Sequence, residues 1–235
     1  MPSRDAHPGH RSVAGGLARA AVFGVNDGLV SNVSLMLGFA GSGVDSSVVR
    51  LAGLAGAVAG GISMAAGEWI SVSAQNDLIH RELEVERREL RHNPEHETAE
   101  LAETYERHGM SPEQAREAAE AVMRQPEAAL AVHAREELGI DPDELPSPWA
   151  AAALSLVCFL FGALLPVVPW LLTEGSGAVL ASIGIGVVAA AVVGALIGRL
   201  AERSLPFSIL RQVGIVIVAG AVTYAIGELV GVNVG

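Results

Sequence analysis

The residues best suited to chemistry are carboxylates, one thioether and one imidazole, spaced so that helices would gather them on shared faces. Asp27 lies within GVNDGLVSN, well inside an apolar stretch. An acid at the centre of a bilayer costs about 2.5–3.5 kcal/mol on insertion scales, so it usually faces a polar cavity or a partner. Asn26, Ser31, Asn32 and Ser34 surround it and make one side of the segment polar. That pattern fits a cation or proton site. The bland alternative is a hydrogen-bonded acid holding two helices together. Met64, in GGISMAAGEW, would ordinarily be a packing residue. Its thioether is also a soft ligand that suits transition metals and not Mg²⁺ or Ca²⁺. Glu68, one turn later, shares its face. It reads equally as a second pathway acid or as a hydrated group near the end of the span.

A second set is denser. Glu82, Glu86 and Glu89 follow i, i+4, i+7; Glu97, Glu100 and Glu103 follow i, i+3, i+6; His133 and Glu137 are an i, i+4 pair. Like charges stacked this way destabilise an isolated helix. Interleaved arginines would offset part of the repulsion, and a bound divalent cation more. The plainer alternative is a solvated, charged helical hairpin.

These groups need elements to hold them. Residues 76–146 contain 19 of the 26 acids and 8 of the 15 arginines, so the whole net charge of −11 sits in that block. Apolar stretches bracket it. Residues 149–172 and 176–198 carry no charge at all, and 19–41, 49–75 and 206–230 are nearly as apolar. About 20 residues cross a hydrocarbon core of about 30 Å. The expected fold is therefore all-α, a five-span transmembrane helix bundle with an acidic helical insert between spans 2 and 3. The expected division is an N-terminal segment 1–18, spans 1–2 over 19–75, the insert over 76–146 and spans 3–5 over 147–235. The chain has no lysine. Arg4, Arg11, Arg19, Arg81, Arg87, Arg88, Arg91, Arg199, Arg203 and Arg211 fall on one side, and only Arg50 on the other. The positive-inside rule makes the N-terminus and the insert cytoplasmic. The polar N-terminus does not read as a signal peptide.

Within the insert, a first helix should continue out of span 2 to about His92 and stop at Asn93-Pro94. A second should run from about Glu95 to Arg107 and end at Gly109. Ser111-Pro112-Glu113-Gln114 is a start signal with a capping box. Pro126 and Gly139 bracket the last helix. Pro166 and Pro169 should kink or end span 3. Gly56/Gly60 and Gly194/Gly198 have small-xxx-small spacing, which permits close helix packing and could support dimerisation. Cys158, the single cysteine, excludes an intrachain disulfide and thiolate metal sites, and reads as a packing residue.

VNDGLVSN in span 1, GGISMAAGEWISV in span 2, the Glu-rich insert, EELGI before span 3 and five spans together resemble the vacuolar iron transporter family over about residues 12–232. The resemblance implies a dimer that exports Fe²⁺, and often Mn²⁺, from the cytosol in exchange for protons. It implies a pathway aspartate and methionine at Asp27 and Met64, and metal-binding glutamates at Glu86, Glu89, Glu97, Glu100 and Glu137. Family members can carry Met-Glu just upstream of the last glutamate. Here the residues are His133-Ala134, which removes a carboxylate and offers an imidazole in place of the soft ligand.

The leading expectation is a transporter and not an enzyme, with no prosthetic group and no catalytic residues. Its pathway would comprise Asp27, Met64, Glu68 and Asn26; its metal ligands would be Glu82, Glu86, Glu89, Glu97, Glu100, His133 and Glu137. Fe²⁺ and Mn²⁺ are the expected substrates, with Co²⁺ or Zn²⁺ as further candidates. The expected partners are metal ions, protons, the lipid bilayer and a second copy of the chain. A bacterial chain would sit in the cell membrane, a eukaryotic one in a vacuole-type membrane. The competing readings are a membrane-anchored carboxylate di-metal oxidase, for which only Glu89-Leu90-Arg91-His92 supplies the Glu-x-x-His pattern, and a metal sensor. The acidic block disfavours nucleic acid. Without a lysine-bearing phosphate loop, ATP-driven pumping is unsupported.

Overall fold

The computed structural model describes residues 16–231. Most of the expected segment 1–18, with Arg4 and Arg11, lies outside the described residues. Every regular element among them is helical: α1 Gly16–Gly41, α2 Ser46–His92, α3 Pro94–Arg107, α4 Pro112–Met123, α5 Pro126–Glu137, α6 Pro148–Leu164, α7 Val168–Leu172, α8 Gly175–Leu200 and α9 Leu205–Gly231, with a 3₁₀ turn at Leu165–Val167. The chain divides into two compact units, one formed by Ile70–Ser147 and the other by the residues on either side of it.

The larger unit is a membrane bundle. Five helical segments are long and apolar enough to cross a bilayer: Ala21–Gly41, the helix Ser46–His92, Pro148–Leu172, Gly175–Leu200 and Leu205–Gly231. At 47 residues α2 would measure about 70 Å, so only its apolar N-terminal part can lie in hydrocarbon. The rings of Trp69 and Trp149, 5.7 Å apart, mark the level where the apolar parts of α2 and α6 end, the usual depth of tryptophan at the lipid–water boundary. Large side chains such as Leu180, Val188, Leu210 and Val218 are exposed, as a lipid-facing surface requires.

α1 packs along α6, α8 and α9. Leu29, Val33 and Leu37, at i, i+4, i+8, meet Ala190 and Val216. The α1–α6 approach depends on missing side chains: a Cβ at Gly28 would collide with the Phe159 carbonyl, and one at Gly162 with that of Val25. Gly194 likewise brings α8 against α9, where an added Cβ would lie 2.8 Å from Ser208 O. Span 3 breaks where its prolines predicted. Pro166 removes an N–H from the helix and the chain tightens into the 3₁₀ turn before resuming as α7. The break is held by side chains: Trp170 Nε1 donates to Ser182 Oγ at 2.9 Å, and that hydroxyl donates to Pro166 O.

In the smaller unit, Asn93-Pro94 separates α2 from α3, and Gly109 turns the chain at φ +96°. Ser111 caps α4 in a full capping box with Gln114. Pro126 is the first residue of α5, and Gly139 follows its end at φ +65°. Leu101, Ala102, Ala115 and Ala119 join α3 to α4. Ile79, Leu83 and Ala134 join α2 to α5.

Candidate functional site

In the smaller unit the apolar register decides which carboxylates are buried. Val72, Ile79 and Leu83 form the buried stripe of this part of α2, and Glu86 is the next position on it. Glu97 lies one turn before the buried Leu101 on α3, and His133 one turn after the buried Ala129 on α5. The three meet with Glu137, and one ligand atom from each of the four lies within 4.8 Å of all the others. His133 Nδ1 is 3.0 Å from Glu137 Oε1, 3.2 Å from Glu86 Oε1 and 3.8 Å from Glu97 Oε2. His133 is fully buried, Glu86 is 7 % exposed and Glu97 4 %.

The three acids repel one another, and the imidazole among them offsets part of that repulsion. Burial above all, then the charge of Glu137, pushes Glu86 up to about 7; Glu97 and Glu89 add to this and His133 opposes it. Glu97 is raised too, by burial and then by Glu100, again against His133. A divalent cation would relieve both effects. An O₃N donor set suits first-row metals such as Fe, Mn and Zn. Among the described residues, Glu86 Oε1 accepts no hydrogen bond of good geometry although His133 Nδ1 is close, and His133 Nε2 has no partner. Binding through Nδ1 would move the ring proton to that buried, unpartnered Nε2, whereas ligand histidines usually have a partner there.

Of the other acids predicted as ligands, Glu89 and Glu100 stand near enough to raise the carboxyls of this group. Glu82 and Glu89 flank the stripe and are exposed. Glu100 is exposed with His96 4.0 Å away. Ala134 is buried against Ile79 and Leu83. His92, the only histidine of the Glu-x-x-His pattern, is exposed and bonded through Nδ1 to Arg88 O at 2.7 Å. His92 is not a member of the four-residue cluster, whose imidazole is His133.

In the membrane unit, Asp27 and Met64 line one cavity of about 300 Å³, with Ser31, Asn32, Gly56, Gly60, Ser63, Leu35 and Phe159. Asp27, Ser31 and Leu35 recur every four residues on α1, as do Gly56, Gly60 and Met64 on α2, so one face of each helix builds the wall. Asp27 is exposed into this space. Among the described residues, no hydrogen bond or ion pair ties its carboxylate to a neighbouring helix. Met64 also packs against the Phe159–Ala57–Ala163 cluster. Two predicted pathway residues are not in the lining. Asn26 turns the other way, accepting from Gln212 Nε2 of α9. Glu68 is half-buried beside Trp69. Sequence reasoning missed Gln212, whose partner lies 186 positions away, and treated Asn32 only as part of a polar helix face.

A helical bundle with five membrane-spanning segments, an acidic cavity between its helices and a buried carboxylate–imidazole cluster in a polar insert defines a multi-pass membrane protein built to handle cations. Residues 18–228 match the VIT family, and the chain belongs to that family. It is 31% identical over 231 residues to vacuolar iron transporter 1 of Oryza sativa subsp. japonica, covering 97% of this chain and 91% of the relative. It is 28% identical over 228 residues to vacuolar iron transporter 1 of Eucalyptus grandis, covering 96% and 91%. A vacuolar iron transporter of Acanthamoeba castellanii is 40% identical over 153 residues, covering 64% of this chain and 55% of that protein. All three relatives are named as vacuolar iron transporters.

Proposed function

We propose that this chain exports a divalent transition metal, Fe²⁺ and/or Mn²⁺, from the cytosol in exchange for protons. The observation that carries this reading is the cavity in which a free carboxylate, Asp27, and a thioether, Met64, face the same space within membrane-spanning helices. A carboxylate with a soft sulfur and neutral oxygens accepts Fe²⁺ and Mn²⁺, with Co²⁺ and Zn²⁺ as weaker candidates. The names of the relatives support iron. Asp27 binds metal when ionised; protonation displaces the metal, and the return of the protonated form carries H⁺ inward.

The Glu86, Glu97, His133 and Glu137 cluster captures metal from the cytosol. The surrounding negative charge raises the local cation concentration. The arginine distribution supports a cytoplasmic insert and N-terminus. The membrane is then the cell membrane in a bacterium or a vacuole-type membrane in a eukaryote. Asp27 is exposed on a single chain, and an acid facing lipid is costly. A homodimer that covers this face of α1 and α2 would remove that cost; light scattering of the purified protein tests it.

The test of transport is uptake of Fe²⁺, Mn²⁺, Co²⁺ and Zn²⁺ into proteoliposomes with and without a pH gradient. Wild type should accumulate Fe²⁺ or Mn²⁺ and acidify the opposite side, and Asp27→Ala should do neither. Uptake by Asp27→Ala at the wild-type rate would refute the role of Asp27.

A further inference from the structure

Asn32 is 2 % exposed, and its two amide atoms have opposite fates. Nδ2 donates to Gly53 O of α2 at 3.0 Å and to Ala163 O of α6 at 2.6 Å, so both amide protons are used. Among the described residues, Oδ1 has no hydrogen-bond partner. Flipping the amide would set Oδ1 against two carbonyl oxygens, so the network itself fixes the orientation. A side chain that served only to brace three helices would gain nothing from a carbonyl oxygen buried without a partner, and leaving one so is costly.

The direction of that oxygen is informative. Oδ1 faces Gly56: a Cβ on Gly56 would stand 2.9 Å from it and 2.5 Å from Leu35 Cδ2. Asn32, Leu35 and Gly56 all line the cavity that holds Asp27 and Met64. Leu35, the mobile-ended member of the three, is exposed, and its methyl occupies the spot against Gly56.

We propose that Asn32 is a neutral oxygen ligand of the pathway site, held in place through Nδ2 and presenting Oδ1 to the metal across the bare face of Gly56. The assignment rests on the transport reading above. With it, the site offers one charged oxygen, one neutral carbonyl oxygen and one sulfur. Carbonyl and carboxylate oxygens favour Mn²⁺, and the thioether favours softer ions. Asn32 therefore sets the balance between hard and soft ions as well as affinity.

The experiment measures initial rates of Mn²⁺ and Zn²⁺ uptake by the full chain in proteoliposomes, for wild type, Asp27→Ala, Asn32→Ala and Gly56→Ala. Asn32→Ala should raise KM for Mn²⁺ by about tenfold or more while changing KM for Zn²⁺ much less. Gly56→Ala keeps the Asn32 side chain but puts a methyl 2.9 Å from Oδ1 and 2.5 Å from Leu35 Cδ2, so the Leu35 side chain must move aside. It should show the same metal-selective rise, and it decides the matter if Asn32→Ala does not insert. An equal fall in rate for both metals at unchanged KM would make Asn32 a brace and overturn the assignment. So would a Gly56→Ala protein whose KM for Mn²⁺ is unchanged, or rises no more than that for Zn²⁺. Wild-type protein that moves no metal, or Asp27→Ala that moves it normally, would sink the transport reading instead.

Discussion

His133 Nδ1 lies 3.2 Å from Glu86 Oε1, an imidazole of α5 against a carboxylate of α2, both on the buried side of their helices. Glu97 and Glu137 complete the group. Removing the ring takes away the sole nitrogen donor and leaves a void in a fully buried place. His133→Ala should weaken Mn²⁺ binding to the full chain by about tenfold or more, about 1.4 kcal/mol per decade. Titration calorimetry reads this. Glu82→Gln, at an exposed position, should bind as wild type does.

The raised carboxyl of Glu86 gives the pH dependence a definite sign. Its folded value is about 7 against 4.5, so the folded chain holds this proton more tightly than the unfolded chain. The resulting stabilisation is complete below about pH 4.5 and is lost as pH climbs through about 7. Metal-free protein should melt at a lower temperature at about pH 8 than at about pH 5.5. Glu86→Gln should flatten that difference in a thermal scan.

Metal competes with the same proton. Apparent affinity for Mn²⁺ should climb from about pH 5 to about pH 7.5, with protons released on binding. Calorimetry in buffers of different ionisation enthalpy counts them. A pH-independent affinity would separate Glu86 from the binding event.

Met64 packs against the Phe159 cluster as well as lining the cavity. Met64→Leu keeps nearly the same volume and should cost less than about 1.5 kcal/mol of stability. It removes the sulfur. Liposome uptake should lose more Zn²⁺ than Mn²⁺ transport, the reverse of the Asn32 result.

Glycines separate by what surrounds them. Gly162→Ala forces a methyl into Val25 O and should prevent α1 and α6 from closing, which detergent-based melting will show as loss of a folded protein. Gly67 has nothing within 4 Å of an added Cβ. Gly67→Ala should be neutral or stabilising by up to about 1 kcal/mol.

Much of this architecture could be read from the chain because its punctuation is local. Pro94, Pro112 and Pro126 open helices, and Gly109 and Gly139 follow their ends at positive φ. The hydrophobic runs gave the spans, and the prolines of span 3 gave its break. The ligand group was harder. Counting glutamate spacings selected Glu82, Glu89 and Glu100 along with Glu86 and Glu97. Register with neighbouring apolar residues tells which of them are buried: Glu86 continues the Ile79–Leu83 stripe, and Glu97 precedes Leu101 by one turn. Asn26 and Asn32 looked alike in VNDGLVSN. Which helix each would meet depends on residues far away in sequence, Gln212 for one and Gly53 with Ala163 for the other.

Ionisable groups occupying positions where leucine would normally sit have a cost that recurs whenever the ion leaves. Ligand binding stabilises a fold by RT ln(1 + [L]/Kd). If the cluster holds metal as proposed, limited proteolysis of the insert in the full chain should slow when Mn²⁺ is added and speed up again with a chelator.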